Sequence, residues 1–260
     1  MSIRLQDIRM PATHPGAEGP LFDGLNVEVG DGARVGVLGG PKSGKTTLLR
    51  LICGTMTAHE GMIERNSRVS WPIPMATFLV PSSSVAQNIG FISRLYGVRD
   101  KAFSRRVAQM MDITAFLECP LEKCPRFVKP RLALALGIAL EFDMYLFDGT
   151  LAAADKPFKE KAAEIVAGRV AGRGYVLASA APAEVEKNCG SVYVLEAGRA
   201  AYFADAKEGT EYFKTLLAAE KQKRQLADQE AKRSVDNDDD EDAAPGDMDV
   251  LAAAIADEVE

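Results

Sequence analysis

The sequence predicts an α/β domain with a parallel sheet at its centre, a β-rich beginning and an inserted group of helices. Three observations lead there. Short apolar segments with strand periodicity alternate with segments of helical periodicity. A glycine-rich run, Gly39-Gly40-Pro41-Lys42-Ser43-Gly44-Lys45-Thr46, stands between a buried strand and a helix. A second buried strand, residues 144–147, ends in Asp148 far downstream.

The elements follow in order. Residues 3–8 and 25–29 alternate apolar and polar, as half-buried strands do. The loop between them, MPATHPGAEGP, is rich in turn formers. Asp31-Gly32 turns the chain into a short buried strand, residues 34–38. The glycine loop and a helix follow, with Leu48, Leu49, Leu51 and Ile52 expected to face inward and Gly54 to close the helix. Residues 61–71 read as short strands. Residues 84–96, 101–111 and 130–141 read as three helices of an inserted subdomain spanning roughly 84–141. Strand 144–147, helix 157–170 and strand 175–179 follow. Residues 191–196, turned by Ala197-Gly198, pair with residues 199–203. A last helix starts near Ala206, with room to run past Leu217 into a charged stretch.

At 260 residues the chain has room for one large domain and an appendage, and 47% hydrophobic residues suffice for a core. Its net charge of −6 is unevenly spread. Residues 231–260 hold eight Asp and three Glu against Lys232 and Arg233, a net of −9, leaving +3 on the other 230 residues. No basic nucleic-acid footprint is present. Residues 1–217 are therefore expected to form the folded domain, and the acidic segment 218–260 to be disordered for want of apolar area. Val250, Leu251, Ala254 and Ile255, near its end, do have helical spacing. The N-terminus lacks the apolar stretch of a signal peptide. The longest apolar run, residues 132–140, is far short of the roughly 20 needed to span a bilayer. Of Cys53, Cys119, Cys124 and Cys189, only Cys119 and Cys124 lie near each other. They read as a metal or redox pair, or as reduced thiols, and the latter is adopted.

The glycine run matches G-x4-G-K-[ST], the Walker A loop. Its backbone N–H groups and the following helix N-terminus are built to surround phosphate oxygens. Gly39 to Thr46, with Thr47, are the candidate nucleotide-binding residues. Lys45 is expected to reach the β- and γ-phosphates, Thr46 to hold Mg²⁺, and Asp148 to share that metal as the Walker B acid.

More of the chain resembles the ATP-binding subunits of ABC transporters, and more narrowly those of capsular-polysaccharide exporters. The resembling stretches are LFDGLNVEV, KTTLLRLICG, VSWP, QNIGFISRLYG, PRLALALGIALEFDMYLFD and ADKPFKEKAAEIV. The resemblance implies a RecA-like P-loop NTPase core with a helical subdomain, two such subunits (homodimer or heterodimer) enclosing ATP, and a permease partner at the cytoplasmic face of the inner membrane. The helical subdomain and the loop near residues 71–90 would grip that permease. No carbohydrate-binding domain follows the core, as in the capsule-export branch.

Several motifs of that family are replaced. Gly149 stands where the family places the glutamate that polarises water, Ala180 where it places the switch histidine, and Val80 where the Q-loop glutamine falls. Gln87 lies too far on to substitute. Ala12 falls near the position of the adenine-stacking aromatic. The signature loop reads Cys124-Pro-Arg-Phe-Val-Lys-Pro130. The expectation is Mg-ATP binding with poor or no hydrolysis. Arg126, Lys129 and Arg131 either contact a phosphate across a dimer or form a solvated loop. Asp155 matches the aspartate at the dimer seam and equally reads as a helix N-cap. His14 reads as an exposed loop residue. Trp71 reads either as partner-facing or as a structural strand-end aromatic. Two other functions compete: a nucleotide-responsive regulator or assembly factor without a transport stroke, and a soluble P-loop kinase.

Overall fold

The computed structural model describes residues 2–12, 19–151 and 155–241. It divides into two compact units, Met1–Lys214 and Thr215–Glu260. The first holds two sheets. Strands β1 (Ile3–Met10), β2 (Phe22–Val29) and β4 (Glu60–Arg65) form a three-stranded antiparallel sheet with β1 in the middle, Ile3 opposite both Val29 and Arg65. The second sheet has the order β5-β6-β7-β3-β8-β9. It comprises β5 (Val69–Ile73), β6 (Met144–Asp148), β7 (Gly174–Ser179), β3 (Arg34–Gly39), β8 (Ser191–Glu196) and β9 (Arg199–Phe203). All its pairings are parallel except β8 with β9, the hairpin read from Ala197-Gly198.

Burial explains why these runs are strands. Every residue of β7 is buried, as are the last five of β3 and the first four of β6. A parallel sheet covered on both faces selects such continuous apolar segments. Helix α1 (Lys45–Cys53) packs under it through Leu48, Leu49, Leu51 and Ile52. Gly54, in the left-handed region at φ 79°, ends that helix, and Arg65 Nε donates to the Ile52 carbonyl at 2.9 Å. The helix carrying the phosphate loop is thereby tied to β4. The Tyr193 hydroxyl on β8 ties the two sheets together: it accepts from Glu28 N at 2.9 Å and donates to Glu28 O at 3.0 Å.

The inserted subdomain comprises α2 (Val85–Leu95), α3 (Phe103–Met110) and α4 (Val128–Ala139). Ser84 and Gln87 form a reciprocal capping box that starts α2 one residue after the expected boundary. Helix α4 starts two residues before Pro130, which takes a first-turn position where its missing N–H costs nothing. Helix α5 (Lys159–Val170) follows a 3₁₀ turn at Lys156–Phe158. Helix α6 (Pro182–Asn188) had no counterpart in the sequence reading. Seven residues with Val185 as the only buried one give little periodicity to detect.

Helix α7 runs from Ala206 to Glu241. The helix begins where the sequence reading placed it and continues past Leu217 into the charged stretch. The charged stretch is rich in Ala, Glu, Lys, Gln and Arg, all good helix formers, and low apolar content speaks against burial rather than against helix. Residues 242–260, with the helical spacing at Val250 to Ile255, lie outside the described residues. Among the described residues no helix is long and apolar enough to cross a membrane.

Candidate functional site: the phosphate loop and its surroundings

Strand β3 delivers the chain at Gly39 and α1 begins at Lys45, so residues 40–44 make the turn. Gly44 sits at φ 92°, and a Cβ there would lie 2.7 Å from ring atoms of Phe22. Both the backbone angle and the neighbour require glycine. Lys45 Nζ donates to Gly39 O and Gly40 O, both at 2.8 Å, and to Ser43 Oγ at 3.3 Å. The ammonium is thus folded onto its own loop. Desolvation pushes its pKa down, and the charge of Asp148 partly opposes that. A half-buried cation held this way gains from an incoming anion.

Thr46 Oγ1 donates to Asp148 Oδ2 at 2.7 Å, across 102 residues of sequence. A hydroxyl and a carboxylate in contact at a helix N-terminus supply two oxygen ligands of the kind Mg²⁺ takes, with phosphate and water completing its shell. No cluster of three or more His, Cys, Asp or Glu among the described residues offers an all-protein metal site. A cavity of about 300 Å³ opens over the loop, lined by Lys42 to Thr47 and by Leu21. Larger cavities, of about 620 and 850 Å³, lie at Arg68–Phe142 and at Arg4–Tyr202 and contain none of these groups. Leu21 was missed by sequence reading, which looked for a base contact near Ala12. Ala12 is exposed and does not line the cavity. Leu21 gave no signal because it precedes a strand as an ordinary apolar residue.

The replaced positions have their own geometry. Gly149 lies at φ 104° and donates its N–H to Ala178 O at 2.7 Å. An L-residue rarely adopts that angle, so the position lacks a carboxylate and also disfavours one. Ala180 is exposed. Val80 is 46% exposed and held through its backbone, N to Asn88 Oδ1 at 2.7 Å and O to Asn88 Nδ2 at 3.0 Å. Gln87 is committed to the α2 cap, which removes it as a substitute for the Q-loop side chain. Asn88 is the residue that organises this loop, a role the sequence analysis did not give it though it lies in the resembling stretch QNIGFISRLYG.

Arg131 does not join Arg126 and Lys129 on the surface. Its side chain lies over Phe127 and Phe158, 4.7 and 4.1 Å from the ring centroids. Its Nε and Nη2 meet the two Asp155 oxygens at 2.7 and 2.8 Å. The aromatic faces and the fork geometry account for its burial. Arg126 and Lys129 are exposed. Asp155 does stand at the N-cap of the 3₁₀ turn that follows it, with its side chain turned to Arg131 and making no cap hydrogen bond. Hydrogen bonding to Arg131 holds the Asp155 carboxyl below the usual carboxylate range. Asp155→Ala leaves a guanidinium that is only 10% exposed without its carboxylate. The expected loss is about 3 kcal/mol, read as a lowered urea midpoint. Because the folded pKa is depressed, the pair's contribution is complete above the unfolded value. It fades as pH falls through the folded one, so the gap between wild type and variant closes below about pH 4.

Trp71 is 7% exposed and packs edge-on against Phe78 and Phe142 and tilted against Tyr96, with centroids 5.1 to 5.8 Å away. The structural reading of Trp71 therefore holds over the partner-facing one. Phe91, Leu95 and Tyr96 on and beside α2 are the exposed apolar groups of that region. His14 lies outside the described residues.

Comparison with known proteins places this loop in context. The pattern of the ABC transporter family matches residues 22–152. The chain is 32% identical over 189 residues to the ATP-binding protein BexA of Haemophilus influenzae, covering 73% of this chain and 87% of that one. It is 30% identical over 192 residues to the capsule polysaccharide export ATP-binding protein CtrD of Neisseria meningitidis, covering 74% and 89%. Identity to the polysialic acid transport ATP-binding protein KpsT of Escherichia coli is 25% over 215 residues, covering 82% and 96%. A solved ATP-binding subunit of an ABC transporter superposes with a TM-score of 0.66 at 18% identity, over 78% of this chain and 90% of that one, which shows the shared fold. The phosphate loop alone indicates a nucleotide-binding fold; these matches decide within that class, and the chain belongs to the ABC transporter family, among its ATP-binding subunits.

Proposed function

We propose that this chain binds Mg-ATP as the nucleotide-binding subunit of an exporter of capsular or other cell-surface polysaccharide. In this reading it acts as a peripheral protein on the cytoplasmic face of the inner membrane, paired with a permease. The carrying observation is the contact of Thr46 with Asp148 beside a loop whose lysine is still turned inward. The likeness to CtrD, a capsule polysaccharide export protein, and KpsT, a polysialic acid transport protein, supports the cargo class. A pair of subunits, identical or not, would enclose the nucleotide. Asp155 would lie at their seam while Arg131 fixes its carboxylate. The exposed Phe91 and Leu95 make α2 the natural contact for the permease.

ATP binding titrated with and without Mg²⁺ tests the site. Magnesium is expected to tighten binding to the wild type. Asp148→Asn is expected to lose at least about tenfold of that gain. Equal affinity in all four conditions would sink the proposal.

The reading includes hydrolysis that is very slow or nil for this chain alone, because Gly149 and Ala180 offer no group to orient water. A competent second subunit, or binding alone, then drives transport. The left-handed backbone at Gly149 also favours a second reading, a nucleotide-responsive regulator without a transport stroke. Co-purification of the chain with a six-span permease from detergent-solubilised membranes decides for the transporter; recovery without one decides for the regulator.

A further inference from the structure

The turn from Cys119 to Cys124 carries two thiols aimed at one oxygen. Cys119 Sγ and Cys124 Sγ each donate to the Pro120 carbonyl at 3.4 Å, so the sulfurs are at most twice that distance apart. Cys124 Sγ also approaches the Cys119 carbonyl at 3.7 Å. Both side chains are partly exposed, so a small reagent reaches them. The other two thiols have no such neighbour: Cys53 lies at the end of α1, and Cys189 is buried after α6.

The turn occupies a telling place. It is stitched to the start of α2 and the segment before it, with Val85 N on Cys119 O at 3.1 Å, Leu121 N on Ser83 O at 3.0 Å and Glu122 N on Pro81 O at 2.9 Å. Its last residue opens the replaced signature segment, where Val128 N bonds Pro125 O at 3.0 Å in the first turn of α4. The Cys119–Cys124 turn is thus the short link between the loop around Val80 and the head of α4.

We propose that Cys119 and Cys124 are a disulfide-forming modification site, oxidised by a low-molecular-weight disulfide, that stiffens the link between these two segments. The Cys119 thiol loses its proton and attacks one sulfur of the small disulfide. That S–S bond breaks, one small thiolate leaves, and a mixed disulfide forms on Cys119. The Cys124 thiol then loses its proton and attacks the Cys119 sulfur, expelling the second small thiol. Two electrons pass from the protein pair to the reagent, and two protons are released to the leaving thiolates. Closing the bond brings the sulfurs to about 2 Å and removes both thiols from the Pro120 carbonyl. Burial, then the neighbouring Cys119 thiol, pushes Cys124 up to about 11.

The test uses the full chain, oxidised glutathione as reagent, and peptide mapping by mass spectrometry without reduction. The expected result is loss of two of the four thiols. A single peptide holding Cys119 and Cys124 becomes lighter by two hydrogens, and hydrogen exchange slows across residues 119–131. In Cys124→Ser the glutathione adduct is expected to persist on Cys119 because nothing resolves it, while Cys53→Ser behaves as wild type. Four intact thiols, an unresolved adduct on the wild type, a link involving Cys53 or Cys189, or unchanged exchange in 119–131 would each overturn the proposal.

Discussion

Lys45→Ala is expected to weaken Mg-ATP binding by about a hundredfold while leaving the fold intact. The ammonium is half-buried and, among the described residues, hydrogen-bonded to two loop carbonyls and a hydroxyl. Exchanging those neutral acceptors for anionic phosphate oxygens adds ion pairing to the hydrogen bonds, a gain of about 3 kcal/mol in all. Removing the donor forfeits that gain, and about 3 kcal/mol is about a hundredfold in affinity. The variant keeps Gly44, Phe22 and the packed face of α1, so its thermal midpoint should stay close to that of the wild type. Calorimetric titration beside a melting curve separates the two effects. Wild-type affinity in a folded Lys45→Ala protein would mean that the loop does not hold the triphosphate.

The second large effect concerns turnover. The wild-type chain alone is expected to release phosphate more slowly than about 0.01 per second, since a positioned general base is worth about 10²–10⁴-fold. Gly149→Glu is expected not to restore it. At φ 104° a side chain costs about 1–3 kcal/mol in strain. Space is not the obstacle, because no atom lies within 4 Å of a Cβ built there. On the proposed reading, even a tolerated carboxylate would find Ala180 and Val80 in place of further catalytic groups, and transition-state positioning is grossly cooperative. Steady-state phosphate release from purified protein measures this. A turnover of order one per second that disappears in Lys45→Ala would refute the reading of a crippled hydrolase.

These expectations draw unequally on sequence and structure. The Walker A loop was legible because its chemistry needs glycines, a lysine and a hydroxyl at fixed spacing between a strand and a helix. The hairpin at Ala197-Gly198 and the Ser84–Gln87 cap were legible because local backbone rules name their residues. The roles of Leu21 and Asn88 were not, although both lie in stretches that carried the resemblance, because a lining residue and a loop-bracing amide have no spacing signal of their own; α6 was too short to show a period. Arg131 was misplaced for a related reason. A basic residue beside Arg126 and Lys129 looks solvated until Phe127, Phe158 and Asp155 are seen to surround it.

The sequence by itself determined the class of fold, the order of its strands and of every helix but α6, and the glycine run from Gly39 to Thr47 between β3 and α1. Those properties follow from periodicity and short-range backbone chemistry, which a linear string contains in full. Only the tertiary structure decided that Asp148 meets Thr46, that Asp155 is held by Arg131, and that Cys119 and Cys124 share one carbonyl. Side-chain partnership across the fold depends on which loops the packed core brings together, and spacing along the chain does not encode that directly.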